Sequence, residues 1–220
     1  MSNKNYNKDK NIMENITKGT GLIEHYIYRY IVYFLIKHLK LNINPNIITF
    51  LSLLYVIFCS ILIISKKFAV VGVILYVFFN ILDLLDGAVA RIYNRKSKFG
   101  AFFDGLVDLV GEILILLSVG YYFGKLDYFV WLVAFIIFVH YFSIRVKWIY
   151  SVKERQLNMF DYIKSPLFLV VLFTRNDTRK VLLLIGFLLN SWKFIFYYFL
   201  ILYIIALVGN LRTIWNGEFR

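Results

Sequence analysis

Long apolar runs separated by short polar or charged stretches dominate the chain from residue 45 onward. A helix that crosses a bilayer needs about 20 predominantly apolar residues. Runs of this kind occupy residues 46–65, 68–91, 100–122, 128–148 and 192–211. A shorter run at 178–190 can extend back through LFLVVLF (167–173). The runs do not alternate between apolar and polar residues, as the strands of a closed sheet would. The pattern predicts an all-α, polytopic membrane protein with six transmembrane helices within 45–220.

Residues 21–40 (GLIEHYIYRYIVYFLIKHLK) differ from these runs. Glu24, Arg29, Lys37 and Lys40 interrupt the apolar positions. Such a pattern suits a helix lying in the membrane interface, polar edge to the headgroups and apolar face to the acyl chains. The segment 21–44 is therefore read as an N-terminal interfacial amphipathic helix. Residues 1–20 are polar, and no apolar core with a small-residue cleavage site follows them, so no cleavable signal is expected. They read as a disordered or surface-lying tail.

Composition agrees with the pattern. Of 220 residues, 60% are hydrophobic, 20% aromatic and only 17% charged, and the mean hydropathy is +0.69. Soluble domains carry roughly 45–50% apolar and about 25% charged residues, so a soluble globular protein is nearly ruled out. The lone Cys59 excludes an internal disulfide and any cysteine-based zinc site.

The net charge of +12 is unevenly placed. With the N terminus in the cytoplasm, 21 of the 25 Lys and Arg residues lie in cytoplasmic segments. Lys66, Lys67, Lys125 and Lys193 alone lie on the other face. This bias predicts both termini on the cytoplasmic side. It accounts for the basic charge through an anionic leaflet, and no nucleic-acid motif accompanies it.

The acidic residues carry the chemistry. Five of the 13 fall between Asp83 and Glu112, within or at the ends of the second and third spans. Carboxylates at such depth are costly and usually face a cavity or a partner. Asp83 and Asp86 are three residues apart, and Asp104 and Asp108 are four apart, so each pair shares a helix face. The short basic connection IYNRKSKF (92–99) makes the two spans an antiparallel hairpin, with both pairs near the cytoplasmic mouth. Four converging carboxylates raise one another's cost of ionisation. One or two divalent cations resolve that conflict, and all-oxygen ligation favours Mg²⁺, Mn²⁺ or Ca²⁺ over zinc. A two-metal site of this kind can clamp an in-line phosphoryl displacement.

The neighbouring residues suit a nucleotide. Gly87 and Ala90 keep the helix surface open after Asp86, and Arg91 can fork onto a phosphate. Gly100 stands four residues before Asp104 on the same face. Tight helix packing is the alternative role for Gly87 and Gly100.

The whole segment reads Asp83-x2-Asp86-Gly87-x2-Ala90-Arg91-x8-Gly100-x3-Asp104-x3-Asp108. It resembles the signature of the CDP-alcohol phosphotransferase (CDP-alcohol phosphatidyltransferase) family of integral membrane enzymes. All eight specified positions match, and chance agreement at a given start is on the order of 10⁻¹⁰. The PNIIT opening of the first span (45–49) and the six-span layout resemble the family too.

The resemblance implies transfer of a substituted phosphate from a CDP-linked alcohol to an acceptor hydroxyl, with release of CMP. It implies a divalent cofactor, Mg²⁺ or Mn²⁺, held by Asp83, Asp86, Asp104 and Asp108. It makes Asp108 the general base. It places Gly87, Ala90, Arg91, Gly100, Asn46 and Thr49 at the CDP site. The partners implied are a CDP-linked lipid, a small polar acceptor, membrane lipids and a second copy of the chain.

Within the family, SKFGAFFDGLVD (97–108) looks most like the branch that makes inositol-phosphate lipids, with CDP-diacylglycerol or an ether-lipid equivalent as donor. The segment departs from related patterns at two positions. Gly105 stands where phosphatidylglycerophosphate synthases carry Pro, and Leu109 where inositol-type enzymes carry Arg. A phosphorylated acceptor needs a further cationic cluster. FSIRVK (142–147) and TRNDTR (174–179) loosely resemble its counterparts and offer Arg145, Lys147, Arg175 and Arg179. Positive charge at a cytoplasmic helix end explains these cations equally well. Glu112, one turn past Asp108, can orient Asp108 or an Arg, or simply pair with a cation. Glycerol phosphate, serine or a CDP-amino-alcohol remain alternative substrates. A divalent-cation transporter is the rival class, though the Asp residues gather at one mouth and do not line a path through the bilayer.

Overall fold

The computed structural model describes residues 12–13, 16, 24–39, 43–149 and 176–218. A π-helical turn, Glu24–Tyr28, runs into α1 (Arg29–Leu39). Six longer elements follow: α2 (Pro45–Ile64), α3 (Ala69–Ile92), α4 (Lys98–Tyr122), α5 (Leu126–Ile149), α6 (Asn176–Leu188) and α7 (Trp192–Glu218). The described residues contain no strand.

Local chemistry sets several helix ends. Asn44 caps α2, its side chain accepting from the Asn46 amide at 3.0 Å, and Pro45 takes the first helical position. Ser97 caps α4 in the same way, accepting from Gly100 N at 2.9 Å. Asn94 closes α3 in the left-handed region (φ 52°). Arg95 N then reaches back to the Ala90 carbonyl at 2.9 Å, as a Schellman end requires. Gly124 (φ 63°) and Asn190 (φ 51°) end α4 and α6 with the same bond pattern. The Asn94 stop and Ser97 start leave a very short α3–α4 link, so the two helices run antiparallel with their acidic pairs at one end.

Helix α2 packs along both α3 and α4; α4 meets α5, α5 meets α7, and α6 bridges α3 and α7. The main core joins Val56 and Ile63 of α2 to Phe79 of α3, Leu116 of α4, Ile136 of α5 and Phe199 of α7. At the α2–α3 crossing the backbones come so close that a Cβ on Gly72 would lie 2.8 Å from the Cys59 carbonyl oxygen.

Four helical stretches are long and apolar enough to cross a membrane: Pro45–Ile64, Ala69–Ile92, Leu126–Val146 and Trp192–Arg212. The second is the most enclosed, with 56% of its apolar window buried, and the last the least, at 22%. Helix α3 is therefore central and α7 peripheral. Two expected spans are not among the four. Helix α4 has 25 residues but carries Asp104, Asp108 and Glu112. Helix α6 has 13 residues, about 20 Å of helix against a hydrocarbon core of about 30 Å. Its proposed extension through 167–173 lies outside the described residues.

Within the segment 21–44, the π-helical turn continues into α1 as one helical stretch. One stripe, Tyr28, Val32 and Ile36, is buried against Ile48 of α2 and Leu84, Leu85 and Ala88 of α3. Its opposite face exposes Tyr26, Tyr30, Ile31 and Phe34. Ile12 and Ile16, within the stretch expected as a polar tail, are buried in the same cluster.

Candidate active site

The four aspartates gather where α3 and α4 face each other. Asp86 is buried, and the Thr49 hydroxyl donates to its Oδ2 at 2.6 Å from the facing turn of α2. The side chains of Asp83 and Asp104 are hydrogen-bonded to each other, and Asp108 interacts electrostatically with Asp83 and Asp86. Two carboxylates in such contact repel unless a proton or a cation lies between them. Arg91 supplies one positive charge, interacting with Asp83, Asp86 and Asp104.

Among the described residues, no three His, Cys, Asp or Glu side chains are grouped as a ready-made metal site. The chemistry of the donor set nevertheless fits a hard divalent ion. It is all carboxylate oxygen, drawn from two helices that both pack against α2, with more negative than positive charge at its centre.

A cavity of about 210 Å³ opens on one side of the cluster. All six residues expected at a nucleotide site line it: Asn46, Thr49, Gly87, Ala90, Arg91 and Gly100. Asp86 and Asp104 form its acidic edge. A Cβ on Gly87 would come within 3.1 Å of Arg91 Nη1, and one on Gly100 within 3.0 Å of Asn46 Oδ1 and Ser97 Oγ. The glycines thus leave room for polar groups that reach into the cavity. Arg95 and Lys96 line it as well, and the sequence reading passed over them as connecting residues.

A larger cavity of about 720 Å³ reaches Asp108 from the other side, between α3, α4, α5, α6 and α7. Glu112, His140, Ser143, Arg179, Lys180 and Tyr203 are among its lining residues. Arg179 Nη1 donates to both Glu112 oxygens, at 3.0 and 3.2 Å, and lies 3.3 Å from the Tyr203 hydroxyl. Tyr203 in turn donates to Glu112 Oε2 at 2.7 Å, and Arg179 also holds the Asn176 side-chain carbonyl. Glu112 is therefore the partner of a cation.

Of the four cations expected at an acceptor site, the structure brings Arg179 to this cavity. Arg145 is exposed and not among its lining residues; its Nε donates to the Tyr141 hydroxyl at 2.9 Å. Arg175 and the side chain of Lys147 lie outside the described residues.

The sequence reading missed two residues here. Lys180 is buried, donates to Asn80 Oδ1, stands 4.1 Å over the Phe79 ring and interacts with Asp108 and Asp83. Asn80 is fully buried, and its Nδ2 finds no hydrogen-bond partner. A buried donor left unmet costs roughly 1–3 kcal/mol and commonly marks a place for water or ligand. Asn80 stands three residues before Asp83, on the same face. That offset was the available signal.

Known proteins share this framework. The family model for CDP-alcohol phosphatidyltransferase matches residues 42–212. The CDP-diacylglycerol–serine O-phosphatidyltransferase of Helicobacter pylori strain J99 is 30% identical over 185 residues, covering 78% of this chain and 72% of that protein. An archaetidylinositol phosphate synthase of Pyrococcus horikoshii is 35% identical over 80 residues, 36% of this chain and 42% of that protein. A bifunctional IPC transferase and DIPP synthase of Aquifex aeolicus is 28% identical over 200 residues, 89% of this chain and 43% of that protein. The match from α2 through α7, the four apolar helices and the aspartate signature lead to one assignment: the chain belongs to the CDP-alcohol phosphatidyltransferase family of integral membrane enzymes.

Proposed function

We propose that the chain moves a substituted phosphate from a CDP-linked lipid, CDP-diacylglycerol or an ether-lipid equivalent, to the hydroxyl of a small polar acceptor. One observation carries this reading. A basic cavity reaches Asp86 and Asp104, and a second cavity reaches Asp108, one helical turn further along α4.

In this reading the smaller cavity takes the nucleotide and diphosphate. Arg91, Arg95 and Lys96 offer cationic donors to the phosphates, while Asn46, Thr49, Gly87, Ala90 and Gly100 shape the wall. Asp83, Asp86, Asp104 and Asp108 would hold one or two Mg²⁺ or Mn²⁺ ions. Such ions, when bound, neutralise the diphosphate and the charge that develops on departing CMP. Asp108 takes the proton from the acceptor hydroxyl as its oxygen attacks the lipid-linked phosphorus. The phosphorus–oxygen bond to CMP breaks, and CMP leaves. A carboxylate is a sufficient base here because the hydroxyl grows more acidic as its bond to phosphorus forms. Positioning and charge supply the remainder.

The wider placement follows the same reading. Helices α4 and α6 complete a six-span bundle, with 1–20 and 21–44 as tail and interfacial helix before it. The Lys and Arg bias puts both termini and the site on the cytoplasmic face, and a homodimer is the proposed assembly. A polyol phosphate such as inositol phosphate is one reading of the acceptor, favoured by the likeness around the aspartate motif and by Arg179 in the larger cavity.

Purified protein reconstituted in lipid tests the proposal. CMP release that requires both CDP-diacylglycerol and Mg²⁺ or Mn²⁺ is the expected result. Flux of the metal into sealed vesicles without nucleotide, and no CMP release with any CDP-linked donor, would replace it with a transporter.

A further inference from the structure

Lys180 takes no part in the transfer step, yet it reaches the cluster that does. It is buried and extends from α6 to one face of α3. Its ammonium lies 5.2 Å from the centre of the Tyr76 ring and 4.1 Å from that of Phe79, and it donates to Asn80 Oδ1. Tyr76, Phe79, Asn80 and Asp83 follow one another at helical spacing, so all four share that face. The turn beyond Asn80 therefore carries Asp83. Asp108 lines the same cavity as Lys180, from α4. The ammonium interacts with both aspartates.

Among the described residues, the immediate partners of this ammonium are neutral: one amide oxygen and two ring faces. An ammonium taken out of water costs more than such partners return unless opposite charge stands near. A side chain that only fastened α6 to α3 would need no charge. Glu112 already receives Arg179 and Tyr203. Asp108 and Asp83 are the larger share of the negative charge that Lys180 answers. Arg91, lining the smaller cavity, interacts with Asp83, Asp86 and Asp104. The four carboxylates are thus held between two resident cations, one from each cavity.

We infer that Lys180 is a positioning residue of the aspartate cluster, a built-in counter-ion that offsets Asp108 and Asp83 and shares the charge balance with the divalent cation. This inference rests on the reading of the four aspartates as the metal ligands of a transferase. A fixed positive charge beside two ligands repels a metal ion. Lys180 therefore weakens metal binding while it keeps the carboxylates together without metal. Removing the charge should have two opposite effects: tighter metal binding and a weaker metal-free fold. Loss of a plain structural link would weaken both.

Mn²⁺ binding to purified protein in detergent, without nucleotide or lipid donor, tests it. Free Mn²⁺ is read from its electron paramagnetic resonance signal for the wild type and for Lys180→Met, a neutral side chain of similar length. The expected result is a Mn²⁺ dissociation constant roughly tenfold or more lower in the variant. Its Tm without metal should fall, and Mn²⁺ should raise that Tm by more than it raises the wild type's. Unchanged or weaker Mn²⁺ binding by folded Lys180→Met overturns the inference and makes Lys180 a link between α6 and α3 only. Should Lys180→Met not fold, Lys180→Met combined with Asp108→Asn decides, because it removes charge from both sides of the balance. Folding of the double variant supports the inference, and its failure to fold overturns it. Wild-type protein that binds no Mn²⁺ removes the metal reading and this inference with it. CMP release by the wild type judges the transferase reading separately.

Discussion

The two cavities that meet the aspartate cluster are built by opposite means. The smaller is assembled from α2, α3, α4 and the short α3–α4 link, so its wall comes from a nearly continuous stretch of chain. Arg91, Arg95 and Lys96 line it, and Arg91 interacts with Asp83, Asp86 and Asp104 of the same hairpin. The larger draws on five helices, and its cations are held across long sequence separations: Arg179 in an ion pair with Glu112, Lys180 in a hydrogen bond to Asn80. A cavity with cations turned toward it suits a diphosphate of fixed charge. A cavity with paired charges can be retuned by changing one member of the pair. The difference teaches that, in the proposed reading, the donor side is built from local sequence and the acceptor side from distant contacts.

Three substitutions probe that division, from the largest expected effect to the smallest. Asp108→Asn touches the point where both cavities meet. It should lower kcat by about 10³-fold or more, measured as CMP release from purified, folded variant. Wild-type turnover would remove Asp108 as base. Arg91→Ala acts on the donor side alone. It should raise the KM for CDP-diacylglycerol roughly 10- to 100-fold, the range for loss of a charged hydrogen bond, with the acceptor KM unmoved. Gly100→Ala adds a methyl 3.0 Å from Asn46 Oδ1 and Ser97 Oγ. Crowding of about 1 kcal/mol should raise the donor KM roughly fivefold, and no change would place Gly100 in helix packing only.

The same contrast explains what was legible in the sequence. The aspartates, Gly87, Ala90, Arg91 and Gly100 lie within two helices joined by a short link. Offsets of three and four residues fix their shared face, and the hairpin fixes their shared end. Asn46 and Thr49 came only with the family resemblance, at the opening of α2. The pairs on the acceptor side carry no such signal. Arg179 and Glu112 are 67 residues apart, and Lys180 and Asn80 are 100 apart. Helical periodicity says which residues share one helix face; it does not say which helix that face will meet. Lys180 thus read as one cation in a basic run. Arg145, placed by a loose likeness, turned outward to Tyr141. The π-helical turn before α1 was likewise illegible, because its hydrogen-bond shift leaves no mark on the apolar pattern.

Two-substrate initial-rate kinetics test the central claim most directly, that the site takes donor and acceptor on opposite sides of one aspartate cluster. The rates are measured for the wild type, Arg91→Ala and Glu112→Gln with CDP-diacylglycerol and the acceptor varied in turn. The account predicts that Arg91→Ala raises only the donor KM and Glu112→Gln only the acceptor KM. Variants that each move both constants together would contradict it, and would describe a single undivided site.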